Sequence, residues 1–129
     1  MAHSVITPEQ FDWITRPHAE GEPARHVAEL SEVAAFADVR ANVWRYEPGA
    51  KGRRHRHPTQ EETFVVLSGT LSMYVGDPPT REDVPAGGLI TVRPGTALQS
   101  VNHGDSELLV YAYGFPPESE SAELLPSAV

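Results

Sequence analysis

From Arg25 onward the spacing of apolar side chains follows the two-residue period of a β-strand. "RHVAEL" and "DVRANVWRY" alternate in part, with Val39, Ala41 and Val43 on one face. "TFVVL" and "TLSMYV" flank the turn Ser68-Gly69 and predict a hairpin, in which Leu71, Met73 and Val75 alternate with Thr70, Ser72 and Tyr74. "GDPPT" then breaks the chain. "LITV", the turn "RPGT", a short strand through Val101, the turn "NHGD" and "ELLVYAY" follow. Many short strands between Gly/Pro turns predict an all-β sandwich or barrel. "TFVVL" and "ELLVYAY" are apolar on both faces, so each is expected to be covered on both sides, as in a closed jelly roll or a dimer sheet.

The ends are patterned differently. In "TPEQ", Thr7 is a candidate N-cap, Pro8 takes the first helical position and Gln10 completes a capping box, which predicts a short helix. Residues 16–24, "RPHAEGEPA", read as a loop. The tail "GFPPESESAELLPSAV" reads as peripheral, with Leu124 and Leu125 available to pack on the barrel or on a partner. These features divide the chain into an N-terminal extension (1–24), a β-barrel (25–116) and a C-terminal tail (117–129).

Composition narrows the chemistry. The chain has 129 residues, room for one domain with a real core. It has no cysteine, which excludes disulfides, thiolate metal sites and cysteine nucleophiles. The formal charge of −8 argues against general nucleic-acid binding. "MAHSVITPEQFDW" lacks a basic then apolar leader pattern, and no apolar run approaches the ~20 residues of a membrane span. A cytoplasmic protein is the expectation, with neither nucleic acid nor membrane as partner.

The densest chemistry lies in "GAKGRRHRHPTQEE", residues 49–62. Residues i and i+2 of a strand point to the same side, with Cβ atoms roughly 6.5–7 Å apart. His55 and His57 can therefore converge on one ion, while Arg54 and Arg56 point the other way, towards solvent. Glu62 opens the next strand with the parity of Phe64 and Val66; Glu61 faces water. Two imidazoles and one carboxylate on one face form the facial set typical of non-haem Fe(II), which also suits Mn, Ni or Zn.

The spacing Gly49, His55, His57, Glu62, Gly69 resembles the first motif of the cupin superfamily at every position. "GGLITVRPGTALQSVNHGD" resembles the second, with Gly87, Gly95 and Asn102 matching. The second-motif histidine falls on Leu98 and its proline on Arg93. A shifted register, anchored on Gly88 and Pro94, places Gln99 at the histidine and His103 at the asparagine. The first register keeps "LITV" and the asparagine turn in place and is preferred. In either, the third histidine is absent.

The resemblance implies a double-stranded β-helix (jelly-roll barrel) that holds its ligand inside, and a homodimer formed by sheet packing. It implies His55, His57 and Glu62 as ligands of a divalent metal, with Leu98 leaving one coordination position open. Phe64, Val66, Leu98 and Met73 share the inward parity and are candidates for the wall. Trp44 and Tyr46 are further aromatic candidates. Gln99 would need a β-bulge to coordinate through its carbonyl oxygen. Arg53 and Arg93 are candidates to bind a substrate carboxylate. Glu62 is the best candidate for a catalytic acid or base beside histidine. Two functions remain open: an enzyme acting on a small organic molecule (oxygenase, isomerase or decarboxylase), or a metal-free, non-catalytic module that binds a small ligand.

Overall fold

In the computed structural model, which describes residues 2–117 and 122–129, eleven short strands form two antiparallel sheets. In chain order they are β1 (Ile14–Pro17), β2 (Ala24–Glu29), β3 (Arg40–Tyr46), β4 (His55–Arg56), β5 (Glu61–Ser68) and β6 (Thr70–Val75). Then come β7 (Thr80–Pro85), β8 (Leu89–Val92), β9 (Leu98–Val101), β10 (Leu108–Phe115) and β11 (Glu123–Leu124). One sheet runs β1-β2-β3-β10-β5-β8 and the other β11-β4-β9-β6-β7. Two packed sheets whose strands exchange partners at the corners make the expected jelly roll.

The main core lies between the sheets. The inward-facing Tyr46, Phe64, Val66, Val92, Leu108, Val110 and Ala112 of the six-stranded sheet meet Leu71, Met73 and Leu98 of the other. Met73 and Val66 are fully enclosed there.

The predicted hairpin at Ser68-Gly69 is a corner instead. β5 pairs with β10 and β8, whereas β6 pairs with β7 and β9. Gly69 has φ +81°, and a Cβ there would meet Glu107 O at 3.0 Å and Leu108 Cα at 3.1 Å. The tight passage against β10 turns the chain from one sheet into the other, and only glycine fits it. The true hairpin is β6–β7, with Thr70 opposite Pro85 and Val75 opposite Thr80. No apolar pattern predicts β7. Its "TREDVP" is charged on both faces because it is an exposed edge strand, where charge and a terminal proline block further pairing.

Both chain ends are built into the barrel. The capping box at Thr7–Gln10 closes a 3₁₀ turn over Pro8–Gln10, shorter than the expected helix, and the Gln10 side chain accepts a hydrogen bond from Thr7 N at 2.9 Å. β1 adds an edge strand to β2, so the loop predicted for residues 16–24 is confined to the turn between them. Ile6, Phe11 and Trp13 pack with Leu109 and Tyr111 over Ala28, Leu30, Ala41 and Val43, on the outside of the six-stranded sheet. This arm supplies part of the second cover that the doubly apolar β10 requires. Trp13 also stacks under the Arg45 guanidinium, 4.8 Å from ring centre to carbon. Trp13→Ala is expected to cost about 1–2 kcal/mol, since the ring is half-buried. Urea denaturation of the variant beside the parent checks it.

The tail is docked as well. β11 pairs with β4, setting Glu123 opposite Arg56 and Leu124 opposite His55. Residues 118–121 of the predicted tail lie outside the described residues. No helix among the described residues is long and apolar enough to cross a membrane.

Candidate metal centre

Three short elements bring the donors together. His55 stands on β4, directly opposite Leu98 of β9. His57 follows one residue past β4, where its carbonyl accepts a 2.7 Å hydrogen bond from Gly95 N. Glu62 is the first inward residue of β5, on the other sheet. Glu62 Oε1 lies 3.2 Å from His57 Nε2 and 3.7 Å from His55 Nε2. The imidazoles meet edge to face, with ring centres 4.8 Å apart. His55 Nδ1 lies 2.8 Å from Arg53 O, so Nδ1 carries a proton donated to that carbonyl, which orients the ring with Nε2 facing Glu62.

Burial by itself would raise the pKa of Glu62. The hydrogen bonds and charge of His55 and His57 outweigh it and hold the carboxyl down at about 2. The carboxylate is thus ionised and available as a ligand at any physiological pH.

These donors fit a divalent ion. Ligand atoms of all three side chains lie within 4.8 Å of one another. Donors bound at about 2.1 Å and at right angles would be about 3 Å apart; the two Glu62–histidine distances, 3.2 and 3.7 Å, already approach that, and the widest pair must close further.

The three donors form part of the wall of a cavity of about 580 Å³. Of the expected wall residues, Phe64, Leu98 and Arg53 line it, as do Trp44 and Tyr46. Val66 and Met73 do not; they belong to the closed core deeper between the sheets. Gln99 is fully buried but alternates away from Leu98. Its amide donates to Gly52 O and Ser127 Oγ and accepts from Ala128 N, so it anchors the tail and is turned away from His55, His57 and Glu62. Placing Leu98 opposite His55 matches the first register of the second motif. His103 sits in an exposed turn against the Tyr74 hydroxyl.

The arginines divide differently from expectation. Arg54 is largely withdrawn from solvent. It is 10% exposed, donates to Gly76 O at 3.0 Å and faces Asp77 at 3.5 Å. Arg56 is held by both carboxylate oxygens of Glu123. Arg93 points outward and pairs with Glu61, away from the cavity. Sequence reasoning missed Arg25, Arg40 and Ser100, which also line the wall, together with Ala122 and Leu124 of the tail. A signal for Arg25 existed: it shares the parity of buried Val27 on β2 and so points inward.

The cupin domain family model matches residues 42–113, more than half the chain, and the chain belongs to that family. A search of curated proteins finds no match. Among solved structures, the chain is similar to a double-stranded β-helix protein of Klebsiella pneumoniae (23% identity, TM-score 0.71, 95% of this chain and 97% of that one). It is similar to the polyketide cyclase RemF of Streptomyces resistomycificus (15%, TM-score 0.79, 96% and 86%). It also resembles Bacillus subtilis oxalate decarboxylase, a protein with Mn(II) centres (21%, TM-score 0.66, 85% and 30%). At such identities the likeness is one of fold.

Proposed function

We propose that this cupin holds a divalent metal on His55, His57 and Glu62 and acts on a small organic molecule bound in the barrel. The observation that carries the reading is the approach of one carboxylate oxygen of Glu62 to Nε2 of both histidines, inside a cavity. A bound ion supplies Lewis acidity or, as Fe(II), a site for oxygen chemistry. The protein groups do the rest. His55 is oriented by Arg53 O, Glu62 stays ionised, and Leu98, Phe64, Trp44 and Tyr46 wall off water around the substrate. With three protein ligands, open positions remain for substrate.

Metal analysis of purified protein and of His57→Ala, after incubation with Fe, Mn, Ni and Zn, tests the reading. Stoichiometric metal lost in the variant is the expected result. Neither protein holding metal would favour the alternative, a metal-free binding module in which the same three side chains hydrogen-bond a ligand. A homodimer belongs to the same proposal. Leu67, Leu89, Tyr113 and Phe115 stay exposed on the outer face of the six-stranded sheet, beyond the reach of the N-terminal arm.

A further inference from the structure

The charge inside the cavity runs against the charge of the chain. Carboxylates outnumber Lys and Arg, 18 to 10, yet the cavity wall carries Arg25, Arg40 and Arg53. Elsewhere the arginines are neutralised: Arg45 by Glu107, Arg54 by Asp77, Arg56 by Glu123, Arg81 by Asp83 and Arg93 by Glu61. Apart from Arg16 on the exposed β1, the arginines without a carboxylate partner among the described residues are these three of the cavity.

Arg25 is the most constrained of them. Its guanidinium lies over Trp44, 4.5 Å from the ring centre, and 5.8 Å from that of Tyr46. Its Nε is buried without a hydrogen-bond partner, as are those of Arg45 and Arg54, but only Arg25 of the three has no carboxylate beside it among the described residues. A buried N–H left unpaired is costly, and the Nε edge of a guanidinium is half of the fork that grips a carboxylate with two parallel bonds. Arg25 rises from β2 of one sheet and crosses to the other. A Cβ on Gly52 would come within 3.2 Å of its Nη1 and 2.7 Å of Ser100 Oγ. The missing side chain at Gly52 leaves that space open.

Ser100 stands two residues from Leu98 on β9, and Leu98 pairs with His55. Leu98 and Ser100 share one face of β9, so the guanidinium beside Ser100 and the donors beside Leu98 line the same cavity. The apolar part of that wall includes Trp44, Tyr46, Phe64 and Leu98.

We propose that the cavity selects a small organic carboxylate, gripped by Arg25, whose apolar body lies along these side chains towards His55, His57 and Glu62. Arg40 and Arg53 add a positive field at the mouth that draws the anion in. The aromatic lining favours a singly charged carboxylate with an apolar body over a compact phosphate, whose dehydration costs more. The proposal rests on the same cavity as the metal reading, and on its own residue.

Benzoate and benzamide have nearly the same shape and differ in charge, and Trp44 gives a fluorescence signal for either. Titration is done on protein stripped with EDTA, so that no ion supplies a partner for the anion. The expected result is benzoate binding at least about tenfold tighter than benzamide, with the preference lost in Arg25→Gln and kept in Arg16→Gln. Arg25→Lys, which keeps the charge but loses the fork, is expected in between. Equal binding of the two probes, no binding of either at millimolar concentration, or a preference that survives Arg25→Gln overturns the proposal. So does displacement of benzoate by an equal concentration of inorganic phosphate. Should Arg25→Gln fail to fold, the benzoate preference of the parent and its change in Arg25→Lys still decide. Metal content is measured on separate unstripped samples. Metal present without an Arg25-dependent preference sinks only the carboxylate inference; the preference without metal sinks only the metal reading.

Discussion

Asn102→Asp is expected to destabilise the protein by roughly 3–5 kcal/mol near neutral pH, although it replaces one amide nitrogen with an oxygen. Asn102 is 1% exposed. Its amide nitrogen donates to Tyr46 O at 3.1 Å, Glu47 O at 3.3 Å and Ser106 O at 2.9 Å, and its oxygen accepts from Gly104 N at 3.0 Å. Its own backbone bonds Gly49 N and Ala50 O. One side chain thus ties the end of β3 and the turn after it to the turn before β10. Aspartate keeps the acceptor towards Gly104 but turns a second, charged oxygen onto three carbonyls. Burial and those carbonyl dipoles raise the pKa of the new carboxyl in the folded state. A raised acid binds its proton more tightly when folded, so its penalty grows as pH rises from about 4, the unfolded value, to the folded value. Urea denaturation at pH 4.5 and 7.5 checks this: the gap between variant and parent should be smaller at the lower pH. Asn102→Ala, which leaves carbonyls unpaired but adds no charge, should cost about 1–3 kcal/mol with a gap that does not change with pH. A small gap for Asn102→Asp, identical at both pH values, would show that these bonds do not hold the turns.

Asn102 also shows what the sequence made legible. Its place in the motif is readable, as are the β period and the convergence of two histidines with Glu62, because each depends on spacing along one or two consecutive strands; the jelly roll follows from the resemblance to the cupin superfamily. Features set by pairing between distant segments are not readable. Alternation in "TFVVL" and "TLSMYV" is the same whether two strands share a sheet or pass from one to another, so Gly69 read as a hairpin. β7 carries almost no apolar signal because an edge strand in solvent needs none. Gln99 is a candidate ligand through the shifted register of the second motif, and the tail that satisfies its amide reads as peripheral, so nothing in the sequence speaks against it. Arg54 was assigned to solvent by parity, which gives a direction but cannot show that the Gly76 turn waits there. Arg25 lay outside the motif and drew no attention, since one inward cation on an ordinary strand acquires meaning only beside Trp44 and Ser100.

Leu98→His is expected to strengthen metal binding by at least about a hundredfold while weakening the metal-free fold. The side chain at position 98 lines the cavity, is 2% exposed and lies directly across the strand pair from His55. An imidazole there becomes a fourth protein ligand. Outer-shell partners alone change affinity about 10–100-fold, and a direct ligand exceeds that. Leucine at this position also packs in the main core. The exchange therefore removes apolar contact and buries an imidazole, costing the metal-free form roughly 2–3 kcal/mol. Metal restores it, because an ion that binds only the folded state adds about 1.4 kcal/mol of stability per tenfold gain in affinity at fixed concentration. The two effects separate by experiment. With EDTA the variant should melt below the parent. With saturating Zn or Mn the order should narrow or reverse, and competition with a chelator should give the tighter constant to the variant. If the variant melts lower by the same margin with and without metal, and the chelator strips both proteins alike, then position 98 does not face a bound ion. In that case the closeness of His55, His57 and Glu62 is better read as a hydrogen-bonded cluster that serves a ligand directly.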